Sequence, residues 1–347
     1  MKIGIKLPNS GPIAVPEVIR QAAVTADELG FDSVWVHDHV TRSPADAEYH
    51  FVGGAWESWD RPIVPNVYES VSTLAFVAGC TSRVAIGTSV VVAPLRNPVW
   101  LAKTTASIDA LAGGRFILGL GVGGSMYLER ELMAMGAGHL YAGRGRVVNE
   151  WIDVMRGVWR EPSFTHRGEF IDVVDAEVFP KPPRGSVPIW IAGASKPGMR
   201  RAGERGDGWL PMFMLPDELA AGIRQIRDIA EAAGRDGSQI ALASEHWLAI
   251  DEDGDRAADY SAATINGMAS YTANLPGASA NDKDVAAGRG NFVGNPDQVG
   301  ELLEAYQRAG VDHLVLRVIA PSPGAFLDSL ALFKESVVDK VVSRSAV

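Results

Sequence analysis

The sequence predicts a (β/α)8 barrel, the TIM-barrel architecture, from two observations. Short runs rich in β-branched residues alternate with Ala- and Leu-rich stretches of helical spacing, and the runs count to eight along the chain. Their nearly continuous apolar character is typical of parallel strands that are buried on both faces. An open doubly wound sheet is the alternative, but it needs a glycine-rich phosphate-binding turn after the first strand. The chain has LPNSGP at residues 7–12 instead, which is not that pattern.

The predicted strands and helices alternate along the chain, except that two helices precede the last strand. The strands are predicted at residues 1–7, 33–36, 84–92, 115–120, 187–192, 208–211, 240–250 and 313–319. The helices are predicted at residues 16–29, 68–80, 100–111, 145–159, 198–204, 216–233, 255–271, 296–309 and 325–342. Pro16 at the start and Gly30 at the end frame the first helix in the order that helices favour.

Three connections are longer than simple loops, at residues 40–67, 161–186 and 273–292. The second of these alternates apolar and polar residues at 170–173 before three prolines, which predicts a small hairpin. Long connections in a compact domain are usually lids or binding loops. Since no change in composition marks a second domain, we expect residues 1–347 to form a single barrel domain with long insertions at the C-terminal face of its strands.

The composition excludes several classes of protein. Forty-two acidic against 32 basic residues give a net charge of −10, which argues against a nucleic-acid partner and against anionic membrane surfaces. No apolar run reaches the roughly 18 residues of a membrane span. The single cysteine excludes a disulfide framework within the chain and a multi-cysteine metal site. We therefore expect a cytoplasmic enzyme or binding protein, with a small molecule as its partner.

The sharpest candidate site residues are His37, Asp38 and His39, which follow the second strand. The chemistry of such a barrel lies at the carboxyl ends of its strands. Residues two apart on a strand face the same side, so the two histidines suit a metal or, beside a carboxylate, proton transfer or a cofactor contact. Only His246 and His313 come later as further ligands, so a metal-free site is favoured over a metal-dependent hydrolase.

Two glycine-containing turns are candidates for binding a ligand through the backbone. Gly123 and Gly124 end a glycine-rich turn after the fourth strand, which permits close approach of a ligand or simply a tight turn. Gly193, Ala194 and Ser195 precede a helix, where backbone N–H groups and a hydroxyl can hold phosphate. The alternative for Ser195 is an ordinary helix N-cap.

Several strings together resemble the luciferase-like monooxygenase family of flavin- and F420-dependent oxidoreductases. They are ELGFDSVW at 28–35 followed by Asp38-His39, RVAIGT at 83–88, RNP at 96–98, SIDALAGGR at 107–115, GEF at 168–170, PIWIAGA at 188–194 and GDGW at 206–209. Each string is weak alone, but together they are specific, and the resemblance covers about residues 1–320.

The resemblance implies a barrel that binds a flavin or the deazaflavin coenzyme F420 at its carboxyl face and transfers a hydride. Asp38 and His39 match the pair that contacts the deazaflavin in the F420 branch, so we predict both as catalytic and cofactor-binding residues. Ser89 and Val90 match a non-proline cis peptide that supports the ring. Gly123, Gly124, Gly193, Ala194 and Ser195 complete the predicted cofactor-binding set, and no metal is expected.

Several functions remain open within and beside this resemblance. Hydride transfer between F420 and a small organic substrate is favoured. The alternatives are an FMN-dependent monooxygenase, supplied with reduced flavin by a separate reductase, and a non-catalytic flavin-binding barrel. Gly124 stands where sugar-phosphate dehydrogenases of the F420 branch carry a carboxylate, and Val40 where they carry a tryptophan. That substrate class is therefore not expected. Since family members are often dimers, a homodimer is expected.

Overall fold

Eight parallel strands close into a barrel, as the alternation predicts. The computed structural model describes residues 1–11, 13–41, 51–52, 55–56, 67–124, 128–273 and 290–341. The barrel strands are β1 Lys2–Lys6, β2 Ser33–Val36, β3 Ala85–Thr88, β4 Phe116–Gly121, β5 Ile189–Ala192, β6 Gly208–Leu210, β7 Ala241–Ile250 and β8 His313–Val318. Each strand pairs in parallel with the next, and β8 pairs with β1, so the sheet has no edge and the open-sheet alternative is excluded.

Helices cover the outside of this barrel and connect its strands. They are α1 Pro16–Glu28, α2 Ser70–Cys80, α3 Pro98–Leu111, α4 Leu128–Ala134, α5 Arg144–Arg160, α6 Lys196–Arg205, α7 Pro216–Ala232, α8 Gly254–Ala273, α9 Pro296–Arg308 and α10 Pro323–Phe333. Six of them carry proline in the first turn, where its missing N–H costs no hydrogen bond. Within the described part of the chain, no helix is both long and apolar enough to cross a bilayer.

Three ring side chains and one serine hydroxyl close the lower half of the barrel lumen. We call this set the aromatic layer, and its members are Trp35, Trp190, His313 and Ser33. The two indoles lie 5.3 Å apart between ring centroids, and the imidazole meets both edge-on. Ser33 Oγ lies 2.6 Å from His313 Nε2 and accepts a hydrogen bond from Trp35 Nε1 at 2.7 Å. Burial lowers the pKa of His313 to about 3, so its ring is neutral.

Two glycines make room for the central indole of the aromatic layer. A Cβ added to Gly4 or to Gly87 would come within 2.4 Å of the Trp35 side chain, so only glycine fits at these strand positions. The glycine in RVAIGT is thus explained by packing, because Gly87 lies on β3 directly against the ring.

The sequence prediction differs from the structure in the third strand. Residues 84–92 were expected to form one strand, but β3 ends at Thr88 and a separate two-residue strand, Val91–Val92, pairs with β4. The Ser89–Val90 peptide between them is cis, as the family resemblance predicts.

The insertions agree with the sequence where they can be compared. Strands Phe164–Arg167 and Asp172–Ala176 pair antiparallel, which confirms the predicted hairpin. In the first insertion Phe51–Val52 pairs with Ala55–Trp56, while residues 42–50 and 57–66 lie outside the described residues. The third insertion lies largely outside them too, at 274–289. The closing helix has the expected extent, but a π-helical turn at Lys334–Val338 separates α10 from a last helical stretch at 339–341. The single-domain assignment stays a prediction.

Candidate functional site

The predicted site residues all lie at one end of the barrel. They follow the carboxyl ends of β2, β3, β4 and β5, and these strands are parallel. We call this end the mouth and define it by His37–His39, Ser89–Val90, Gly121–Gly124 and Gly193–Ser195. Because β2 ends at Val36, the first three residues lie past the strand, and the strand alternation expected to align His37 with His39 does not reach them.

His39 is a partly exposed titratable side chain in the mouth segment after β2. Its side chain is 38% exposed, and its Nδ1 lies 3.2 Å from Oε2 of Glu131, whose side chain is 3% exposed. The other carboxylate oxygen of Glu131 accepts hydrogen bonds from the backbone N–H groups of Val40 at 2.6 Å and Thr41 at 3.1 Å. One buried carboxylate on α4 therefore holds both the His39 ring and the backbone that follows it.

Asp38 is held by a network of protein donors. Its carboxylate receives two hydrogen bonds from the Arg96 guanidinium, at 2.5 and 2.7 Å. Ser70 Oγ donates to it at 2.9 Å and the backbone N–H of Val92 at 3.1 Å. Asp38 is 2% exposed. The contact of Asp38 with the cofactor stays a prediction. In the structure, its hydrogen bonds connect the end of β2 to α2 and to the segment after β3.

Ser89 sits above a buried ion pair that crosses the lumen. Lys6 Nζ lies 2.5 Å from Oε1 of Glu245 and donates to the Ser89 carbonyl oxygen at 2.8 Å. The Ser89 hydroxyl donates to the other oxygen of Glu245. The three residues come from β1, from β7 and from the end of β3, so this charged layer fixes the backbone of the mouth from below.

The environment of Lys6 perturbs its titration. Burial lowers the pKa of Lys6 to about 8, although the attraction of Glu245 opposes the shift, and the nearby charge of Arg317 adds to it. Arg317 lies on β8 with its guanidinium 4.6 Å from the Trp247 ring centroid, and burial lowers its pKa to about 10. The upper lumen is therefore charged, whereas the aromatic layer below it is neutral.

The side of the mouth after β5 is built from exposed backbone rather than from partnered charges. Gly193 has a φ of +97° and is exposed, as are Ser195 and Lys196. Ser195 is the N-cap of α6, since its hydroxyl accepts from the N–H of Gly198 at 3.3 Å. Pro197 removes one N–H donor from the first turn of this helix. The ordinary N-cap role of Ser195 is thus present, and phosphate binding stays a prediction.

The turn after β4 brings Gly123 and Gly124 to the same end. Gly123 has a φ of +78°, and an added Cβ would lie 2.5 Å from the Leu128 side chain, so α4 packs directly on this turn. Gly124 is exposed and an added Cβ there would meet nothing within 4 Å. Their predicted contact with the cofactor is untested by this geometry.

The two late histidines considered as metal ligands are wrong candidates. Alternation along β7 places Glu245 in the lumen and His246 outside it, where its ring lies 4.7 Å from the Tyr306 ring centroid and its Nε2 meets Ser244 Oγ at 2.7 Å. Burial lowers the pKa of His246 to about 3. His313 belongs to the aromatic layer. Over the residues the structure describes, no group of three or more His, Cys, Asp or Glu is placed to hold a metal ion.

Sequence reasoning missed Glu131, Lys6 and the role of Arg96. The sequence gives a weak indication that Glu131 is buried, because this residue lies beside Leu132 and three residues after Leu128 on one face of a short helix. A carboxylate on an apolar face needs a partner. Lys6 likewise stands among buried apolar residues of β1.

The chain matches a known protein family over a region that includes the candidate site. A sequence profile described as luciferase-like monooxygenase matches residues 1–313 of the chain. The match begins before β1, ends at the first residue of β8 and takes in the whole mouth.

Several similar proteins carry F420 or a flavin in their names. An F420-dependent glucose-6-phosphate dehydrogenase of Kineococcus radiotolerans is 29% identical over 343 residues, which is 94% of each chain. A solved F420-dependent secondary alcohol dehydrogenase, in complex with an F420–acetone adduct, has a TM-score of 0.77 at 22% identity and covers 97% of this chain and 98% of its own. A riboflavin lyase solved with modified FMN and substrate riboflavin has a TM-score of 0.76 at 17% identity, over 99% and 92%. The two structures show the shared barrel fold.

Proposed function

Because the chain belongs to the luciferase-like monooxygenase family, we propose that it is an F420-dependent oxidoreductase that transfers a hydride between the deazaflavin and a small organic substrate. The names of the F420-dependent relatives support the cofactor. The observation that carries the proposal is the His39–Glu131 pair, which holds a half-exposed imidazole at the mouth beside the segment that follows β3.

The mouth fits a flat ring with an anionic tail. Val90 is partly buried and packs against a buried cluster that contains Trp190 and Leu210, and we assign its remaining apolar surface to one face of a ring. A Cβ at Gly121 would lie 2.9 Å from Val90 and crowd this surface. Gly193 and Ser195 place exposed backbone at the positive end of α6, which favours phosphate. We assign the cofactor ring to the surface at Val90 and Gly121, and the anionic tail to Gly193 and Ser195.

In this proposal His39 exchanges the proton and the cofactor exchanges the hydride. Bound F420 supplies a ring carbon that accepts or gives a hydride. With a hydroxyl substrate, His39 would take the hydroxyl proton and bound F420 would take the hydride from carbon, which would leave a carbonyl product. A carbonyl substrate gains both in the reverse direction. Asp38 and Arg96 keep His39 in place by tying down the residue before it.

The test is to titrate the apoprotein with F420 and, separately, with FMN, and to monitor binding by the fluorescence of the cofactor. We expect F420 to bind at least about tenfold more tightly, a difference of about 1.4 kcal/mol. Anaerobic addition of secondary alcohols should then bleach the absorbance of bound F420. Tighter binding of FMN, or F420 that binds but is never reduced or oxidised, would contradict the proposal.

An FMN-dependent monooxygenase is the second candidate, supported by the family description and by a structure of the same fold that holds modified FMN. It needs a separate reductase to supply reduced flavin, and it consumes oxygen. Oxygen uptake with reduced FMN, and none with reduced F420, would establish it in place of the first proposal.

We also propose that the protein forms a homodimer through the face of α2 and α3. Three large apolar side chains are exposed there, namely Phe76 at 45%, Trp100 at 65% and Leu111 at 77%. A contiguous exposed apolar patch marks an interaction site, and we propose that these three side chains form one. Light scattering of the purified protein at several concentrations checks it, and a mass of one chain throughout would contradict it.

A further inference from the structure

We propose that Glu131 is a positioning residue that selects the tautomer of His39, so that Nδ1 carries the ring proton and Nε2 is the atom that accepts a proton from a hydroxyl substrate. This inference rests on the proposed function and deepens it, because it assigns the chemistry of one atom and the class of substrate that suits it.

The geometry of the carboxylate carries the inference. Glu131 Oε2 lies 3.2 Å from His39 Nδ1, and Oε1 accepts from the backbone N–H groups of Val40 and Thr41. An ionised carboxylate is an acceptor only, so the ring nitrogen that faces it must carry hydrogen. A neutral imidazole has one N–H, and Nε2 is then left with a lone pair.

The Glu131 carboxylate is ionised at neutral pH although it is buried. Burial alone would raise the pKa of Glu131, but the hydrogen bonds from His39 and from the two backbone N–H groups outweigh it and hold the pKa below its ordinary value. The negative charge therefore persists beside the ring. It also stabilises the imidazolium that forms once Nε2 has taken a proton, as an oriented carboxylate does for a general base elsewhere.

This arrangement favours substrates that give up a hydroxyl proton as the carbon loses its hydride. The bond between hydroxyl oxygen and hydrogen breaks, the proton forms a bond with Nε2, and the electron pair left on oxygen completes the carbonyl. The hydride leaves with the two electrons of the carbon–hydrogen bond to the cofactor. Glu131 contributes without touching substrate, since its two oxygens are occupied by His39 and the backbone.

The decisive experiment compares wild type with E131Q by 15N NMR of histidine-labelled apoprotein, at a pH where the His39 ring is neutral. The Gln carbonyl oxygen keeps the two backbone N–H groups, because its NH2 group would oppose two donors there. Its NH2 group then faces Nδ1 and donates to it. We expect the Nδ1–H tautomer in wild type and the Nε2–H tautomer in E131Q, with the His39 signals identified by their loss in His39→Gln.

Kinetics and a matched control complete the test. With hydroxyl substrate we expect kcat of E131Q to fall at least about tenfold while the Kd for F420 changes less than about twofold. Glu129→Gln, the same change at an exposed position of the same helix, should leave the tautomer and kcat unaltered.

Two results would overturn the inference: an Nε2–H tautomer in wild type, which needs no variant, or an unchanged tautomer in a folded E131Q protein. Because the NMR measurement uses no cofactor, it also separates the two proposals. A correct tautomer with no F420 binding would refute the proposed function alone.

Discussion

The barrel lumen contains two buried polar layers that differ in charge. The aromatic layer buries His313 and Ser33 as neutral groups that satisfy each other among indoles. The layer above it buries Lys6 and Glu245 as an ion pair held at 2.5 Å. Burying two charged groups costs more desolvation free energy than burying neutral polar groups. A pair of apolar side chains in the place of a buried ion pair is often equally stable. The ion pair, which is the more costly layer to bury, lies beneath the mouth, where the strand ends carry the chemistry. The neutral aromatic layer lies at the closed end.

The largest expected effect is from breaking the charged layer. Lys6→Met leaves Glu245 buried without its cation, so we expect the free energy of unfolding to fall by about 3–5 kcal/mol. Urea unfolding at neutral pH measures it. Lys2→Met on the same strand is the matched control, since Lys2 is exposed. The double variant K6M/E245M should recover most of the loss, and a double variant as unstable as K6M would contradict the comparison.

The mouth itself is tested by His39→Ala. Loss of the proton-exchanging ring should lower kcat about 100-fold, which corresponds to about 2.7 kcal/mol, with the free energy of unfolding nearly unchanged. Steady-state kinetics with F420 and urea unfolding measure the two quantities. His139→Ala, at an exposed histidine beyond α4, is the control. Turnover of the His39 variant equal to wild type would reduce this residue to a structural role.

The aromatic layer is tested by pH. The folded-state pKa of His313 is depressed to about 3 from 6.5, so its stabilising contribution is complete above pH 6.5 and is lost as pH falls towards 3. From pH 6.5 to 5 this amounts to about 2 kcal/mol, at about 1.4 kcal/mol per pH unit. His246 contributes a second proton in the same direction, outside the lumen.

Urea unfolding across that range should therefore show a slope of about two protons in wild type and about one in His313→Gln. Carboxyl groups with lowered pKa, such as Glu131, titrate below this window. An unchanged slope in the folded variant would mean that the imidazole binds a proton in the folded state as readily as in the unfolded state, which would contradict its burial as a neutral ring.

The smallest expected effect concerns the exposed side of the mouth. Ser195→Asp should weaken F420 binding about tenfold, because it sets a carboxylate against the phosphate in partly hydrated surroundings. Asp is as good an N-cap as Ser, so α6 is kept and the loss reports charge alone. Lys196→Ala should change the affinity less than about twofold. Equal affinity for Ser195→Asp and wild type would place the phosphate elsewhere.

Much of the fold was predictable because its signals are local. The spans of β2 and α1 follow from runs of apolar residues, with Pro16 at the start and Gly30 after the end of α1, and Gly113 marks the end of α3. The break between Thr88 and Val91 was not visible, since the run continues with apolar and β-branched residues on both sides. The site was predictable as a set of strand ends, because parallel strands in a barrel bring all their carboxyl ends together.

By itself the sequence determined the order of strands and helices, the closure into a barrel and the end at which His39, Ser89 and Gly193 meet. Only the tertiary structure decided which partners these residues have. Glu131 lies 92 residues from His39 and Glu245 lies 239 residues from Lys6, and both contacts exist only once the strands are closed and staggered. Local patterns encode which face of an element is buried, whereas a cross-lumen contact depends on the relative placement of elements that share no sequence neighbours.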